Sequence, residues 1–204
     1  MNILAIGAHP DDIEIGCGGA LIKYKKQGHD IYILIMTRGD LGGPAEIREM
    51  EQMKSAEILG VKKIFWGRYS DTKIRLDKDL IIDIEDILNQ VDPDFIFVNY
   101  FDDTHQDHQI LAKGTVSATR YIRNVLFYEV PTTQNFTPNV FIDIDAVLEK
   151  KITCLEAHGS QMDKTNIKDL NILDIVRSSA IFRGIQGRVK HAEGFVSLRL
   201  FINI

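Results

Sequence analysis

Two short clusters of ligand-type residues stand in the sequence, Ala8-His9-Pro10-Asp11-Asp12 near the start and His105-Gln106-Asp107-His108 near the middle. His9, Asp12 and His108 together offer two imidazoles and a carboxylate. Such a set suits a catalytic zinc, which takes three protein ligands and keeps a fourth position open for water. The same donors can also hold Fe2+. Pro10 restricts His9 to an extended backbone, so the chain can turn afterwards and bring Asp12 back beside it. Asp11 is then a spare carboxylate, placed to take a proton from water. His105 and Asp107 form a second spare pair. A carboxylate beside an imidazole favours the imidazolium, and that charge near a reacting carbonyl stabilises an oxyanion or protonates a leaving amine. Either cluster alone is weak evidence, since Pro and Asp favour turns and Asp107 is a natural helix cap. Their meaning depends on whether the fold brings them together.

The elements predict that it does. Residues 2–6 read as a buried strand, 13–27 as a helix closed by Gly28, and 31–36 as a second strand. A Gly-rich loop from Arg38 to Pro44 leads into a helix stopped by Gly60, and residues 63–66 form a short third strand. Leu80, Ile81, Ile84, Ile87 and Leu88 make the stripe of an amphipathic helix. Residues 94–99 read as the fourth strand and 108–120 as the helix after it. Strands that are apolar throughout and alternate with helices indicate a parallel sheet covered on both faces. With right-handed crossovers this is an α/β fold, doubly wound, with a mostly parallel, Rossmann-like sheet. In strand order 3-2-1-4 the helices after strands one and four leave on opposite faces. A crevice then opens at the carboxyl ends of those strands, where both clusters stand. The second half is less regular, with strands expected at 125–128, 140–144 and 195–201 and helices at 146–158 and 170–182.

Composition bounds the rest. The 204 residues, 45% hydrophobic and 26% charged, predict one domain over residues 1–204. A net charge of −5 argues against a nucleic-acid partner. No apolar run reaches the roughly 18 residues of a membrane span. Cys17 and Cys154 make neither a disulfide framework nor a thiolate zinc cluster, and with no secretory signal at the start a cytoplasmic location is expected. Gly16, Gly18 and Gly19 lack the spacing of a dinucleotide loop, so close packing of a helix is the expected reason for them. No Gly-x-Ser-x-Gly is present to suggest a serine hydrolase. His158, near a helix end, reads as a favourable C-terminal cation.

The stretch from Ala8 to Gly19, taken with His105-Gln106-Asp107-His108, resembles the PIG-L/LmbE family of zinc-dependent N-deacetylases. The likeness extends to Thr37-Arg38-Gly39-Asp40, Arg48, Asp71, Arg183-Gly184 and His191-Ala192-Glu193-Gly194-Phe195, and so runs along essentially the whole chain. It implies metal-assisted removal of acetyl from an N-acetylglucosamine-type sugar or conjugate. The implied metal ligands are His9, Asp12 and His108, the base is Asp11, and the transition-state histidine is His105 with Asp107 orienting it. Arg48, Asp71 and His191 resemble substrate-binding residues, Arg48 holding sugar hydroxyls. Ile13 stands where the common motif has Glu, a variant of the bacterial branch. The expected partner is a small-molecule N-acetyl sugar conjugate, and the resemblance implies a homo-oligomer, trimer or hexamer. The alternatives are an amidase acting on a non-sugar acyl amide and a catalytically silent sugar-binding protein.

Overall fold

The computed structural model describes residues 1–202. The elements in chain order are β1 (Asn2–Gly7), α1 (Asp12–Lys26), β2 (Asp30–Thr37), α2 (Ala45–Leu59), β3 (Lys63–Tyr69), α3 (Lys78–Val91), β4 (Phe95–Asn99) and α4 (Gln106–Ala118). They continue with β5 (Val125–Tyr128), β6 (Val140–Asp143), α5 (Leu148–Glu156), α6 (Ile172–Gly187) and β7 (Ala192–Arg199). The seven strands form one sheet in the order β3-β2-β1-β4-β5-β7-β6. Pairing is parallel from β3 through β5 and antiparallel where β7 joins β5 and β6.

The apolar strands read as they do because both faces are covered. Successive side chains of a strand point to opposite faces, and β1 divides accordingly. Ile3 and Ala5 join a core layer with α1, α2, α5 and α6, while Leu4 and Ile6 join a layer with α3 and α4. The helices following β1 and β4 therefore lie on opposite sides of the sheet, and the expected crevice opens between those neighbouring strands. α1 packs tightly at its glycines, as expected. A Cβ on Gly16 would collide with the Tyr128 ring, and one on Gly19 would stand 2.7 Å from Ile144 and 2.9 Å from Glu193.

Differences from the sequence expectation have physical causes. β7 begins at Ala192 rather than 195, because the buried Glu193 lies inside the strand, held by Lys151 at 2.6 Å. α6 continues past 182 through Gly184 and Gly187, which interrupt no packing but make room for the Lys190 backbone and the Phe141 side chain. β3 runs on to Tyr69 past an irregularity, where Gly67 lets the chain pass close to Met36.

Candidate metal centre

The two clusters meet. β1 delivers His9 at its carboxyl end, and Asp12 opens α1. β4 leads to His105, the N-cap of α4, with His108 in that helix's first turn. The first bend is tight. Asp12 Oδ2 accepts the backbone N–H groups of Ala8 and His9 at 3.1 and 3.0 Å, and Asp11 takes a left-handed backbone with φ of 91°. Non-glycine residues seldom adopt that conformation, and where they do they cluster at functional sites.

His9 Nδ1, His108 Nε2 and Asp12 Oδ2 form a triangle of donor atoms with edges of 3.2, 3.6 and 3.3 Å. Ligands about 2.0–2.1 Å from a tetrahedral zinc stand roughly 3.3–3.4 Å apart, so this donor set fits such an ion. The outward nitrogens fit as well. His9 Nε2 faces Asp71 Oδ1 at 3.0 Å and Asp107 Oδ2 at 3.4 Å, and His108 Nδ1 faces Asp103 Oδ2 at 3.2 Å. A carboxylate on the far nitrogen is the usual way a metal-ligating histidine is oriented. His9, His105 and His108 also bring three nitrogens together, and a second set joins a His9 nitrogen to carboxylate oxygens of Asp71 and Asp107. Those sets draw on His105, whose Nδ1 already accepts the Asp107 N–H at 3.2 Å, or on the outward face of His9. The Asp12 set uses the nitrogens that the orienting carboxylates leave free.

Electrostatics point the same way. Burial works against charge on His9 and His108, yet the surrounding carboxylates outweigh it and raise their pKa values to about 11 and about 9. Burial also opposes ionisation of Asp12, but His108 and His9 hold its pKa well below the usual carboxylate range. The cluster is an acidic nest that calls for positive charge. For Asp11 burial wins over the nearby Arg48 guanidinium and pushes the carboxyl up to about 6.

Behind Asp11 lies a buried polar network. Gln52 Oε1 accepts the Asp11 N–H at 3.2 Å and Gln52 Nε2 donates to Glu14 Oε1 at 2.7 Å. Ser55 Oγ donates to the same Glu14 oxygen at 2.8 Å, and His158 Nε2 stands 3.6 Å from the other. Burial disfavours a charged His158, but Glu14 overcomes it and raises its pKa, while burial of Glu14 is outweighed by His158, Ser55 and Gln52. His158 does more than serve as the helix-end cation that its sequence position suggested. It is 1% exposed and faces a buried carboxylate.

Several expected roles change. Arg48 was expected to hold sugar hydroxyls, but Nη1 donates to Gly39 O at 2.8 Å and Nη2 to Pro10 O at 2.7 Å. These bonds, with Asp11 Oδ2 at 3.5 Å, brace the Asp11 turn, and the residue also lines the cavity. Asp71 lines the cavity but spends its oxygens on His9 and on the Leu41 N–H at 3.0 Å. Asp107 was expected to orient His105 through its carboxylate. That carboxylate instead accepts the N–H groups of Thr72 and Ile74 at 2.8 and 3.3 Å, because helix geometry turns it inward beneath His9. His191 does not reach the cavity, since its Nδ1 pairs with Asp145 at 2.6 Å. Asp103, Glu14, Gln52 and Ser55 were missed. Asp103 left a signal as one of two acids just before the second cluster, and Glu14 stands within the first motif.

The family model described as PIG-L, GlcNAc-PI de-N-acetylase, matches residues 4–119. A protein of Escherichia coli (strain K12) named an uncharacterized deacetylase, YaiS, is 36% identical over 168 residues, covering 78% of this chain and 91% of its own. The solved N,N'-diacetylchitobiose deacetylase of Pyrococcus horikoshii superposes with a TM-score of 0.85 at 27% identity, covering 97% of this chain and 83% of that one. A 4-oxalmesaconate hydratase of Pseudomonas putida (strain KT2440) is 24% identical over 229 residues, 97% of this chain and 84% of its own.

Proposed function

The chain belongs to the PIG-L family of de-N-acetylases, and on that premise we propose that it is a zinc-dependent hydrolase removing acetyl from an N-acetylglucosamine-type sugar or conjugate. The observation that carries this reading is the donor triangle of His9, Asp12 and His108 with the Asp11 carboxylate beside it and left out of it. A zinc ion held by those three residues supplies Lewis acidity, lowering the pKa of a water from about 15.7 towards 7.

The chain's own residues do the rest. Asp11 takes the proton as water attacks the acetyl carbonyl, and its elevated pKa suits it to hold that proton and return it. The backbone N–H of Asp107 occupies His105 Nδ1, so the ring's proton sits on Nε2. Burial depresses the pKa of His105. A neutral His105 thus offers an N–H to the oxyanion as the carbonyl becomes tetrahedral. Asp11 carries the proton to the departing amine. His105 lies against His108, with ring centroids 4.7 Å apart, which keeps it at the reacting centre. The crevice is water-accessible at its mouth and buried at the cluster, which favours charge-assisted contacts there.

The same reading includes a single domain over residues 1–204, supported by one sheet drawing strands from Asn2 to Arg199. The buried free thiols of Cys17 and Cys154 support a cytoplasmic location. The exposed Ile181, Phe182 and Ile185 on α6 support a homo-oligomer. No helix of the described residues is long and apolar enough to cross a membrane. The test is free-amine release by the zinc-loaded protein across N-acetylglucosamine, N,N'-diacetylchitobiose and N-acetylglucosaminides, with a non-sugar N-acetyl amide beside them. Amine from the sugars is the expected result. Amine from the non-sugar amide alone, or hydration of an unsaturated acid without any amine release, would overturn the reading.

A further inference from the structure

A cavity of about 900 Å³ runs from the donor cluster to α6 and the loop before it. That volume lies near the top of the roughly 300–1,000 Å³ range of small-molecule sites and exceeds what one monosaccharide fills. The far wall has a definite chemistry. Ile172, Ile175, Val176 and Ala180 recur on one face of α6 at helical spacing and line the cavity, joined by Leu170 and Ile167 from the loop. Ile167 is 60% exposed, so it stands at the rim and not in the core.

The charged side chains at this end are already engaged. Lys151 pairs with Glu193 at 2.6 Å, Arg183 takes Glu129 in a two-pronged bond at 2.6 and 2.6 Å, and Lys164 donates to the Gly42 carbonyl at 2.6 Å. Paired charges offer a ligand little without breaking their own contacts. Val176 and Ala180 are packed in the core, so the apolar surface left for a ligand is that of Ile167, Leu170, Ile172 and Ile175, with Thr165, Asn166 and Ser179 beside it, and covering it removes apolar surface from water.

We propose that the α6 end of the cavity is an aglycone subsite for an apolar group, an alkyl or aryl substituent on the sugar whose acetamide lies at the donor cluster. The inference rests on the deacetylase reading for the sugar end, and on the α6 wall alone for the apolar end.

Binding of methyl, butyl and hexyl β-D-glucopyranosides to the zinc-loaded protein, by titration calorimetry, tests it without any hydrolysable amide. Affinity is expected to rise with chain length, up to about fourfold per buried methylene. Ile175→Asp or Leu170→Asp should flatten the series in a protein that keeps its circular dichroism and metal content. Ser178→Asp, exposed on α6 and outside the cavity lining, should leave the series steep. A flat wild-type series would overturn the proposal, as would tighter binding of glucose 1-phosphate than of the hexyl glucoside. Amine release from N-acetylglucosamine with a flat series would sink the subsite and spare the deacetylase. A steep series with no amine release from any sugar would do the reverse.

Discussion

Asp71 and Asp103 each place a carboxylate on the outward nitrogen of a ligand-type histidine. Losing such an orienting group costs about 10–100-fold in metal affinity, so Asp71→Asn or Asp103→Asn should show that drop in chelator competition. A raised KM with unchanged metal affinity would return Asp71 to a substrate-holding role. Asp11 stands apart from the donor triangle, so Asp11→Asn should retain stoichiometric zinc while kcat falls by about 10²–10⁴-fold, measured as amine release per bound metal. The two motifs and their meeting at one crevice were legible in the sequence, because ligand chemistry restricts residue type. The partners of His9, His105 and His108 were not, because a carboxylate in sequence does not reveal which nitrogen or N–H it will face. Asp107 and His105 stand two residues apart in the motif, yet their hydrogen bond runs from backbone to ring.

At the scale of elements, α1 carries the centre and two features anchor it. The first is the Gly16 contact with Tyr128. Gly16→Ala forces a methyl into that ring, and a loss of about 1–3 kcal/mol is expected from overpacking, read as a lower urea midpoint. The second is the buried network joining α1 to α2 and to the turn after α5. Gln52→Leu would strand the Asp11 N–H and leave Glu14 Oε1 with Ser55 alone, at about 1–3 kcal/mol for the unsatisfied group. His158 gives this network a pH dependence. Its folded pKa lies above the usual 6.5, so the stabilisation is full below that value and is lost as pH rises through the raised one. Glu14 has a lowered pKa, so its share is full above about 4.5 and is lost as pH falls. With zinc bound, the urea midpoint of the wild type should therefore fall between pH 6 and pH 9 by more than that of His158→Asn. Parallel curves would remove the ion pair from the account. The network left no pattern in the sequence because Glu14, Gln52, Ser55 and His158 come from three separate stretches of chain and become neighbours only by packing.

For the whole molecule, the alternation of apolar strands and helices was enough to order the first four strands and to place the crevice at the ends of β1 and β4. That half of the chain obeys parallel-sheet patterning strictly, with Ile3 and Leu4 serving opposite layers. The second half closes the sheet with antiparallel strands, and β7 carries a buried ion pair that breaks the apolar pattern. Its elements were legible and its exact bounds and role in lining the cavity were not. The central claim is that His9, Asp12 and His108 hold the metal and Asp11 moves the proton. Its most direct test is metal content and amine release measured together on dialysed wild type, Asp11→Asn and His108→Ala, with N-acetylglucosamine conjugates as substrate. The account predicts metal with turnover, metal without turnover, and neither, in that order. Near-normal turnover in Asp11→Asn, or stoichiometric zinc in His108→Ala, would contradict it.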